Sequence, residues 1–316
     1  MVDYDVVVVG GGTAGLSAAL TLARAGRRVT VVDKGEPRNS PAAHLHGFLS
    51  RDGTAPADML RVGREEVAGY GGTFLDTAVT TARPGPHGGF VAELETGRRL
   101  TARALLVATG LRDILPSVAG VAELWGGDVL HCPYCHGHEV RDKPVGVLGG
   151  ENRPFSLHQA SLVRQWSPDV VFFPHPIELA DEERERFLAR GVRVVEGPVE
   201  RLETDGGRLA AVRMGDGSAV ERSALFVGPR FVPRDELLTG LGCEVGPSGW
   251  VTVDASGATS VPGVWAAGNV VSEAAQLASA AGAGMTSAIA LNHHLLADDI
   301  DSAVAHYRAT GTAVSD

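Results

Sequence analysis

The sequence predicts an α/β fold with two domains, because two similar strand-and-turn segments occur in a chain of 316 residues. Residues 5–9 and residues 144–148 are short apolar runs that lead directly into consecutive glycines, as expected for a buried parallel strand followed by a tight turn. The length and the 44% of hydrophobic residues are sufficient for two domains that each bury a core. We therefore expect three-layer domains, in which helices cover both faces of a mainly parallel sheet.

The first domain begins with a recognisable order of elements. The strand at residues 5–9 runs into the glycine-rich residues 10–15, and residues 16–23 then have the composition of a helix. A second strand over residues 28–32 ends at an acidic residue, Asp33. Strand, glycine turn, helix and distal acid together form the fingerprint of a Rossmann-like dinucleotide-binding domain.

Each residue of this fingerprint has a physical role. Gly10 allows the tight turn, Gly12 lets the backbone approach a pyrophosphate, and Gly15 lets the helix pack closely on the strand. Asp33 is positioned to hydrogen-bond the adenosine ribose. A glycine-rich turn without a ligand is the alternative, but the complete set of elements favours a dinucleotide site.

Residues 131–138 contain two of the three cysteines and three of the eleven histidines. The Cys132-x-x-Cys135 spacing keeps two sulfurs within bridging distance, so the pair can cycle between dithiol and disulfide. A half zinc site and a glutaredoxin-like tetrapeptide are the other interpretations of the same residues. The remaining cysteine, Cys243, is expected to be a small core residue.

Composition restricts the partners and the location. The formal net charge of −10 argues against nucleic acid, which requires a concentrated basic surface. The first residues lack the pattern of a secretion signal, and no apolar run reaches the ~18 residues that a membrane span requires. We therefore expect a cytoplasmic protein, in which a Cys-x-x-Cys pair is more often catalytic or metal-binding than structural.

The second glycine turn, after residues 144–148, is altered. Glu151 stands where a dinucleotide site needs its second glycine, and Pro154 replaces the third small residue. A carboxylate repels a pyrophosphate, and residues 174–178, after the next strand, lack the arginines that bind a 2′-phosphate. The sequence therefore predicts that this domain no longer binds NADPH.

Four segments follow one another along the chain: the fingerprint, the Ala-Thr-Gly turn that ends residues 105–110, the Cys-x-x-Cys pair and residues 261–269. This is the order found in low-molecular-weight thioredoxin reductases, which the chain resembles along nearly its whole length. This resemblance implies FAD at residues 10–15, a homodimer, and two Rossmann-like domains of which the second is inserted into the first. It also disfavours the glutaredoxin interpretation, and the crowding of the possible ligands disfavours zinc. The expected divisions are an FAD-binding domain at 1–115, an NAD(P)-like domain with the redox pair at 116–245, and the second part of the FAD-binding domain at 246–316.

The resemblance also assigns cofactor-binding residues. Arg38 would reach the FAD phosphates and His46 the flavin edge, although His46 could equally belong to a surface loop. Asn269 stands where the family usually has Asp, and either side chain can bond a ribityl hydroxyl. The helix that follows Gln276 either directs its amide dipoles at the reduced flavin or simply packs. The complete set of candidates is Gly10, Gly12, Thr13, Ala14, Gly15, Asp33, Lys34, Arg38, Asn39, His46, Val79, Thr109, Gly110, Gly268, Asn269, Gln276 and Leu277.

Within this family the redox motif indicates a subgroup. Thioredoxin reductases have Asp directly after the second cysteine, whereas this chain has His136. Cys-Pro-Tyr-Cys-His-Gly-His-Glu looks like the motif of the dithiol oxidases that close disulfides in holomycin, gliotoxin and romidepsin biosynthesis. The resemblance implies that a substrate thiolate attacks Cys132, that Cys135 lies nearest the flavin, and that His136 and His138 deprotonate thiols. A structural hydrogen bond is the alternative for His138.

The leading hypothesis is an FAD-dependent dithiol oxidase that forms an intramolecular disulfide in a small-molecule natural product, with molecular oxygen as acceptor and hydrogen peroxide as product. The alternative with the same fold is a protein-disulfide reductase driven by NADPH, ferredoxin or another donor. From a different class, the chain could be a flavin-binding redox sensor that uses the dithiol as a switch.

Overall fold

The structure is a computed structural model that describes residues 2–313. The strands are β1 Tyr4–Val9, β2 Val29–Asp33, β3 Thr73–Asp76, β4 Val79–Pro84, β5 Phe90–Leu94, β6 Arg99–Val107, β7 Leu111–Ile114, β8 Val129–Leu130, β9 Val145–Leu148, β10 Val170–Phe173, β11 Val192–Val194, β12 Val199–Asp205, β13 Arg208–Met214, β14 Ala219–Glu221, β15 Ala224–Val227, β16 Arg230–Pro233 and β17 Val264–Ala266. The α-helices are α1 Thr13–Arg24, α2 Pro56–Gly69, α3 Pro133–His136, α4 Arg153–Val163, α5 Asp181–Ala189, α6 Glu236–Gly240 and α7 Leu277–Thr310, and a short 3-10 helix covers Gly268–Val270.

The chain divides into two compact units, and the second is inserted into the first. Unit 1 contains the residues up to Arg38, Ala57–Arg112, and the residues from Pro233 onward; unit 2 contains Asn39–Pro56 and Asp113–Val232. The prediction of an α/β fold with two Rossmann-like domains is confirmed by the set of parallel strands at the centre of each unit.

The unit boundaries differ from the expected divisions in two places. Residues 233–245 lie in unit 1 because Leu237, Leu238 and Cys243 pack into the core cluster that contains β1 and β6. Residues 39–56 lie in unit 2, where Pro41 packs against Gly126.

Unit 1 is built on the sheet β3-β2-β1-β6-β5-β4, with β17 also paired to β6. Pairing is parallel between β1 and its neighbours β2 and β6, and antiparallel between β4, β5 and β6. Alternate residues of β1 enter different cores: Val6 and Val8 pack with α1 and α7, whereas Val7 and Val9 pack on the opposite face. Both faces of β1 are therefore covered, which explains its uninterrupted run of valines.

Helices α1 and α7 pack closely because small residues line their contact. A Cβ atom at Gly284 would lie only 2.0 Å from the carbonyl oxygen of Ala14. Farther along α7, Asp299 accepts from Arg27 at 2.7 Å and pairs with Arg103 at 2.6 Å. Among residues 2–313, no helix is both long enough and apolar enough to cross a membrane.

Unit 2 has the parallel sheet β11-β10-β9-β15-β8 and the antiparallel sheet β12-β13-β14. The strand β9 is buried throughout, as the sequence predicts for residues 144–148, and β10 is buried throughout as well. The carboxyl ends of β8, β9 and β15 meet at one edge of the sheet, which is where α/β domains bind ligands. The redox pair follows β8 and the altered glycine turn follows β9.

The contact between α1 and α7 gives a stability prediction. Gly284→Ala places a methyl group against the backbone of α1, so we expect it to destabilise the protein by about 1–3 kcal/mol. Gly282→Ala is the matched control in the same helix, because a Cβ there meets nothing within 4 Å. The control should be neutral or stabilise by up to about 1 kcal/mol. Thermal unfolding followed by circular dichroism would measure both, and equal midpoints for the two variants would contradict the prediction.

Candidate active site

The redox pair is a disulfide between Cys132 and Cys135 at the start of α3, with Cα atoms 5.2 Å apart. Cys132 is the N-cap of this short helix, and the backbone N–H of Cys135 donates to its sulfur at 3.1 Å. Both cysteines are half-buried, whereas Tyr134 between them is 70% exposed. A sulfur that accepts a backbone N–H is stabilised as a thiolate, so Cys132 is equipped for thiol–disulfide exchange once reduced.

The segment that carries the pair is held against the end of α4. A Cβ atom at Gly137 would lie 2.7 Å from the ring of Trp166, so only glycine allows this close approach. The Tyr134 ring meets the same indole edge to face, with centroids 5.9 Å apart. These contacts fix the position of the turn after the second cysteine.

His136 lies directly after the second cysteine and is half-buried. Burial lowers the pKa of His136 below its ordinary value of 6.5, and the nearby Glu139 carboxylate acts against this effect. The imidazole is therefore mainly neutral near pH 7 and can accept a proton from a thiol. His138 is exposed, and its carbonyl oxygen accepts from Arg141 at 2.9 Å.

His46, a candidate for the flavin edge, lies in unit 2 together with the redox pair. Its ring is 6.5 Å from that of His136, and its two nitrogens face the carboxylates of Asp52 and Glu139. Sequence reasoning gave Asp52 and Glu139 no role, and no local pattern marks either one. The proposed contact of His46 with flavin stays a prediction.

The first glycine turn has the geometry that a dinucleotide requires. A Cβ at Gly10 would lie 2.4 Å from the Ala108 carbonyl oxygen, and one at Gly15 would lie 1.9 Å from the Gly10 carbonyl oxygen. A Cβ at Gly12, in contrast, would meet no atom within 4 Å. Gly12 is the N-cap of α1 and provides no side-chain cap. With no acidic residue in the first turn of α1, its amino end can receive an anionic group.

Asp33, the expected ribose ligand, is the last residue of β2 and lies beside this turn. Its carboxylate accepts from the N–H of Gly11 at 2.8 Å and from the N–H of Gly35 at 3.2 Å. These bonds orient the carboxylate at the end of the sheet. A carboxylate so held, beside an uncapped helix, fits the adenosine half of a dinucleotide.

Several other candidates are brought together in unit 1. Arg38 donates to the side-chain oxygen of Asn269 at 3.4 Å, and Asn269 donates to the carbonyl oxygens of Ser272 and Ala275 at 2.9 and 3.1 Å. These bonds hold the segment that leads into α7.

Four further candidates also belong to unit 1. A Cβ at Gly268 would lie 3.0 Å from the Ala14 side chain, so these two candidates are neighbours. Thr109 donates to the carbonyl oxygen of Arg234 at 2.5 Å, and Gly110 has a φ of +73°.

The remaining candidates are more dispersed. Gln276 is the N-cap of α7 and Leu277 its first residue, which matches the predicted start of that helix. Lys34 lies 3.7 Å from Glu36, and Val79 begins β4. Thr13 begins α1 beside Ala14, whereas Asn39 belongs to unit 2.

The second glycine turn, in unit 2, is already occupied by the protein's own groups. The Asn152 side chain caps α4 by accepting the N–H of Phe155 at 3.1 Å, and the Gly150 N–H donates to Ser156 at 3.1 Å. Glu151 faces Arg230 across 3.5 Å. Asn followed shortly by Pro is a known helix-start pattern, so this cap was detectable in the sequence.

An aromatic cluster that the sequence did not indicate lies at the same sheet edge. The ring of His131 stacks on Phe155 at 5.4 Å and meets Phe231 edge to face at 5.1 Å. His131 also faces the Val227 carbonyl oxygen at 3.3 Å, and its own carbonyl accepts from Gln159 at 2.6 Å. These residues are distant in sequence, so only the fold brings them together.

No group of three or more His, Cys, Asp or Glu side chains within residues 2–313 could hold a metal ion. The third cysteine, Cys243, is buried and forms no disulfide. Burial raises the pKa of its thiol, and a hydrogen bond with Thr259 acts against this effect. Cys243 is therefore shielded from the redox chemistry at α3.

Comparison with known proteins defines the class. A family model described as pyridine nucleotide-disulphide oxidoreductase matches residues 4–284. The match covers most of the chain, so the protein belongs to this family of redox enzymes. The disulfide at α3 and the two dinucleotide-type turns agree with that membership.

Individual relatives extend this result. The chain is 31% identical to thioredoxin reductase sirT of Leptosphaeria maculans over 314 residues, which cover 94% of this chain and 96% of that protein. It is 53% identical to the solved structure of HlmI, with a TM-score of 0.93 and coverage of 98% and 97%. An oxidoreductase structure from Agrobacterium tumefaciens is 36% identical, with a TM-score of 0.86 and coverage of 93% and 98%. The predicted resemblance to thioredoxin reductase-like flavoproteins is confirmed.

The burial of the cysteines gives a testable thiol count. After reduction and removal of the reductant, the native protein should react rapidly with Ellman's reagent at two thiols, Cys132 and Cys135, and at a third only after denaturation. Cys243→Ala should leave the native count at two and reduce the denatured count to two. Three rapidly reacting thiols in the native protein would contradict the assignment of Cys243 as shielded.

Proposed function

We propose that this protein is an FAD-dependent dithiol oxidase, which converts a small-molecule dithiol into a cyclic disulfide and passes the electrons to molecular oxygen. The observation that carries the proposal is the contrast between the two glycine turns. The turn at Gly12 is open and uncapped, whereas the turn at Glu151 is capped by Asn152 and faces an aromatic cluster at the same sheet edge. The capped turn is a poor site for the pyrophosphate of NADPH, which favours entry of electrons through the cysteines.

The residues at the first turn fit FAD. Gly10, Gly12 and Gly15 would receive the pyrophosphate at the amino end of α1, and Asp33 would bond the adenosine ribose. Arg38, held near Asn269, would face the phosphates. FAD, when bound, would supply two-electron exchange between the cysteine pair and oxygen, with hydrogen peroxide as the reduced product.

The cysteines and His136 perform the exchange with substrate. His136 accepts a proton from one substrate thiol, and the thiolate attacks Cys132, which breaks the Cys132–Cys135 bond and forms a mixed disulfide. The second substrate thiol, as its thiolate, attacks the substrate sulfur of this bond, so the product leaves as a disulfide. Two electrons have then passed to the enzyme, which holds two cysteine thiols once two protons have been taken up. His138 is exposed nearby and is the second candidate proton carrier.

We also propose a homodimer. Helix α7 carries large apolar side chains that are 40–59% exposed and recur at helical spacing. A second copy of the chain would bury such a stripe. Its members are Met285, Ile289, Leu296, Ile300, Val304 and Tyr307.

The second candidate function is a protein-disulfide reductase. The name of the Leptosphaeria relative, thioredoxin reductase, and the intact Cys132–Cys135 pair favour it. That activity requires electrons to flow from a donor to the cysteines, in the opposite direction to the oxidase. Direction of electron flow therefore separates the two functions.

An anaerobic experiment tests the direction. The oxidised holoprotein is mixed with NADPH, and in a second sample with a small dithiol, and the flavin absorbance is followed. The oxidase should be bleached by the dithiol and form hydrogen peroxide when air is admitted. Cys135→Ser should remain yellow and lose turnover. Rapid bleaching by NADPH would exclude the proposal in favour of the reductase, and no bleaching by either would favour a redox sensor.

The role of His136 predicts a pH dependence. Burial lowers the pKa of His136 below 6.5, so the neutral, proton-accepting form is present above that pH and is lost as the pH falls through the lowered pKa. His136→Gln should slow the reduction of the enzyme by a dithiol by roughly 10²-fold or more. The ratio of wild-type to variant rates should be constant above about pH 6.5 and should fall in more acidic solution.

The rates are measured by stopped flow. Ionisation of the substrate thiol affects the wild type and the variant equally, so its pH dependence cancels in the ratio. His158→Gln, at an exposed position of α4, is the matched control and should retain the wild-type profile. A ratio that does not change with pH would show that His136 is not the proton acceptor.

A further inference from the structure

His46 occupies a loop position that the backbone fixes. The N–H of Leu45 donates to the Thr54 carbonyl oxygen, and the N–H of Gly53 donates to the Leu45 carbonyl oxygen, both at 2.9 Å. Leu45 itself is buried, with 4% of its surface exposed. The loop is therefore closed and anchored directly beside His46.

The imidazole of His46 lies between two carboxylates. Its Nδ1 atom is 3.4 Å from Asp52, and its Nε2 atom is 3.5 Å from Oε1 of Glu139. Asp52 also accepts the N–H of Gly47 at 2.9 Å, and this bond is the main reason that the pKa of Asp52 lies below its usual range. One end of the imidazole is thus tied to its own loop, and the other end faces the segment after α3.

Glu139 connects this loop to the redox pair. It lies four residues beyond Cys135, and its carboxylate favours the charged form of His136. His46 also faces His136 directly, edge to face, with ring centroids 6.5 Å apart. The titratable groups around this imidazole pair are therefore Asp52 and Glu139, with His138 acting on Asp52.

We propose that His46 is a positioning residue of the dithiol site, which holds the Glu139 carboxylate beside His136. The inference deepens the proposed function, since a carboxylate in this place stabilises the imidazolium that forms when His136 accepts a thiol proton. His46 acts through Glu139 and touches no reacting atom in this scheme.

A second effect of His46 has the opposite sign and allows a decisive test. A positive charge on His46 lowers the pKa of His136, whereas Glu139 raises it, and the effect of Glu139 is the larger of the two. If His46 were only a like-charged neighbour, its removal would raise the pKa of His136. If it holds Glu139 in place, its removal lowers the pKa of His136, because the stabilising carboxylate is released.

The test measures the pKa of His136 by NMR in the oxidised holoprotein with ¹⁵N-labelled histidine rings, and assigns the signal by its absence in His136→Gln. His46→Asn keeps a donor at the Nδ1 position toward Asp52 but loses contact with Glu139, whereas His46→Gln keeps a donor at the Nε2 position. We expect His46→Asn to lower the pKa of His136 by a few tenths of a unit to about one unit, as Glu139→Gln does. His46→Gln should give a value at or slightly above that of the wild type, because it keeps Glu139 in place and removes the like charge.

The double variant His46→Asn/Glu139→Gln should show no further decrease beyond Glu139→Gln, because both changes remove the same interaction. An unchanged or increased pKa in His46→Asn, equal decreases in the Asn and Gln variants, or additive decreases in the double variant would each overturn the proposal. The oxidised protein does not turn over during the titration. The result is therefore independent of whether the protein is an oxidase or a reductase.

Discussion

The dinucleotide chemistry that we propose depends on backbone N–H groups at the amino ends of two helices. At α1 the N-cap is Gly12, which offers no side chain, so the first-turn amides remain directed at a ligand position. At α4 the Asn152 side chain accepts the N–H of Phe155, Ser156 accepts the N–H of Gly150 in the preceding turn, and Pro154 in the first turn has no N–H to offer. Two units of the same architecture therefore differ in the chemistry that they can support. In the proposed oxidase, loss of one anion site by self-capping would need no change in the sheet, and β9, β10 and β15 keep a regular parallel arrangement.

The environment of the redox pair follows from the shortness of α3. Within these four residues the backbone N–H of Cys135 donates to the Cys132 sulfur, and His136 lies at the last helical position. Burial keeps that imidazole mainly neutral, while a carboxylate nearby makes protonation less costly. A base with these two opposing influences can take up a proton and release it again within one reaction cycle. Close packing of Gly137 on Trp166 keeps the geometry fixed during this exchange.

Local patterns in the sequence were sufficient for the strands β1, β2 and β9, the first glycine turn and the position of the disulfide. Each of these depends on residues within about ten positions of one another, as in β1 followed by Gly10. The aromatic cluster of His131 and Phe231, and the contact of His46 with Glu139, join residues about 90 or more positions apart, so no periodicity reveals them. The segment 233–245 illustrates the same limit: the sequence predicted it in the NAD(P)-like domain, and only the burial of its leucines in the core of unit 1 assigns it to that unit.

The shielding of Cys243 has a consequence for substrate choice. With the third thiol buried, a mixed disulfide at Cys132 in the proposed oxidase would be resolved by Cys135, by a second thiol on the substrate, or by a separate thiol from solution. Cys135 is held next to Cys132 and so attacks the mixed disulfide at a very high effective concentration. This attack re-forms the Cys132–Cys135 disulfide and releases a simple monothiol unchanged. A substrate whose second thiol is tethered at a short distance can match that concentration and leave as a ring. In the proposed oxidase, preference for dithiols would then arise from kinetic competition at one sulfur, without any pocket that recognises both thiols.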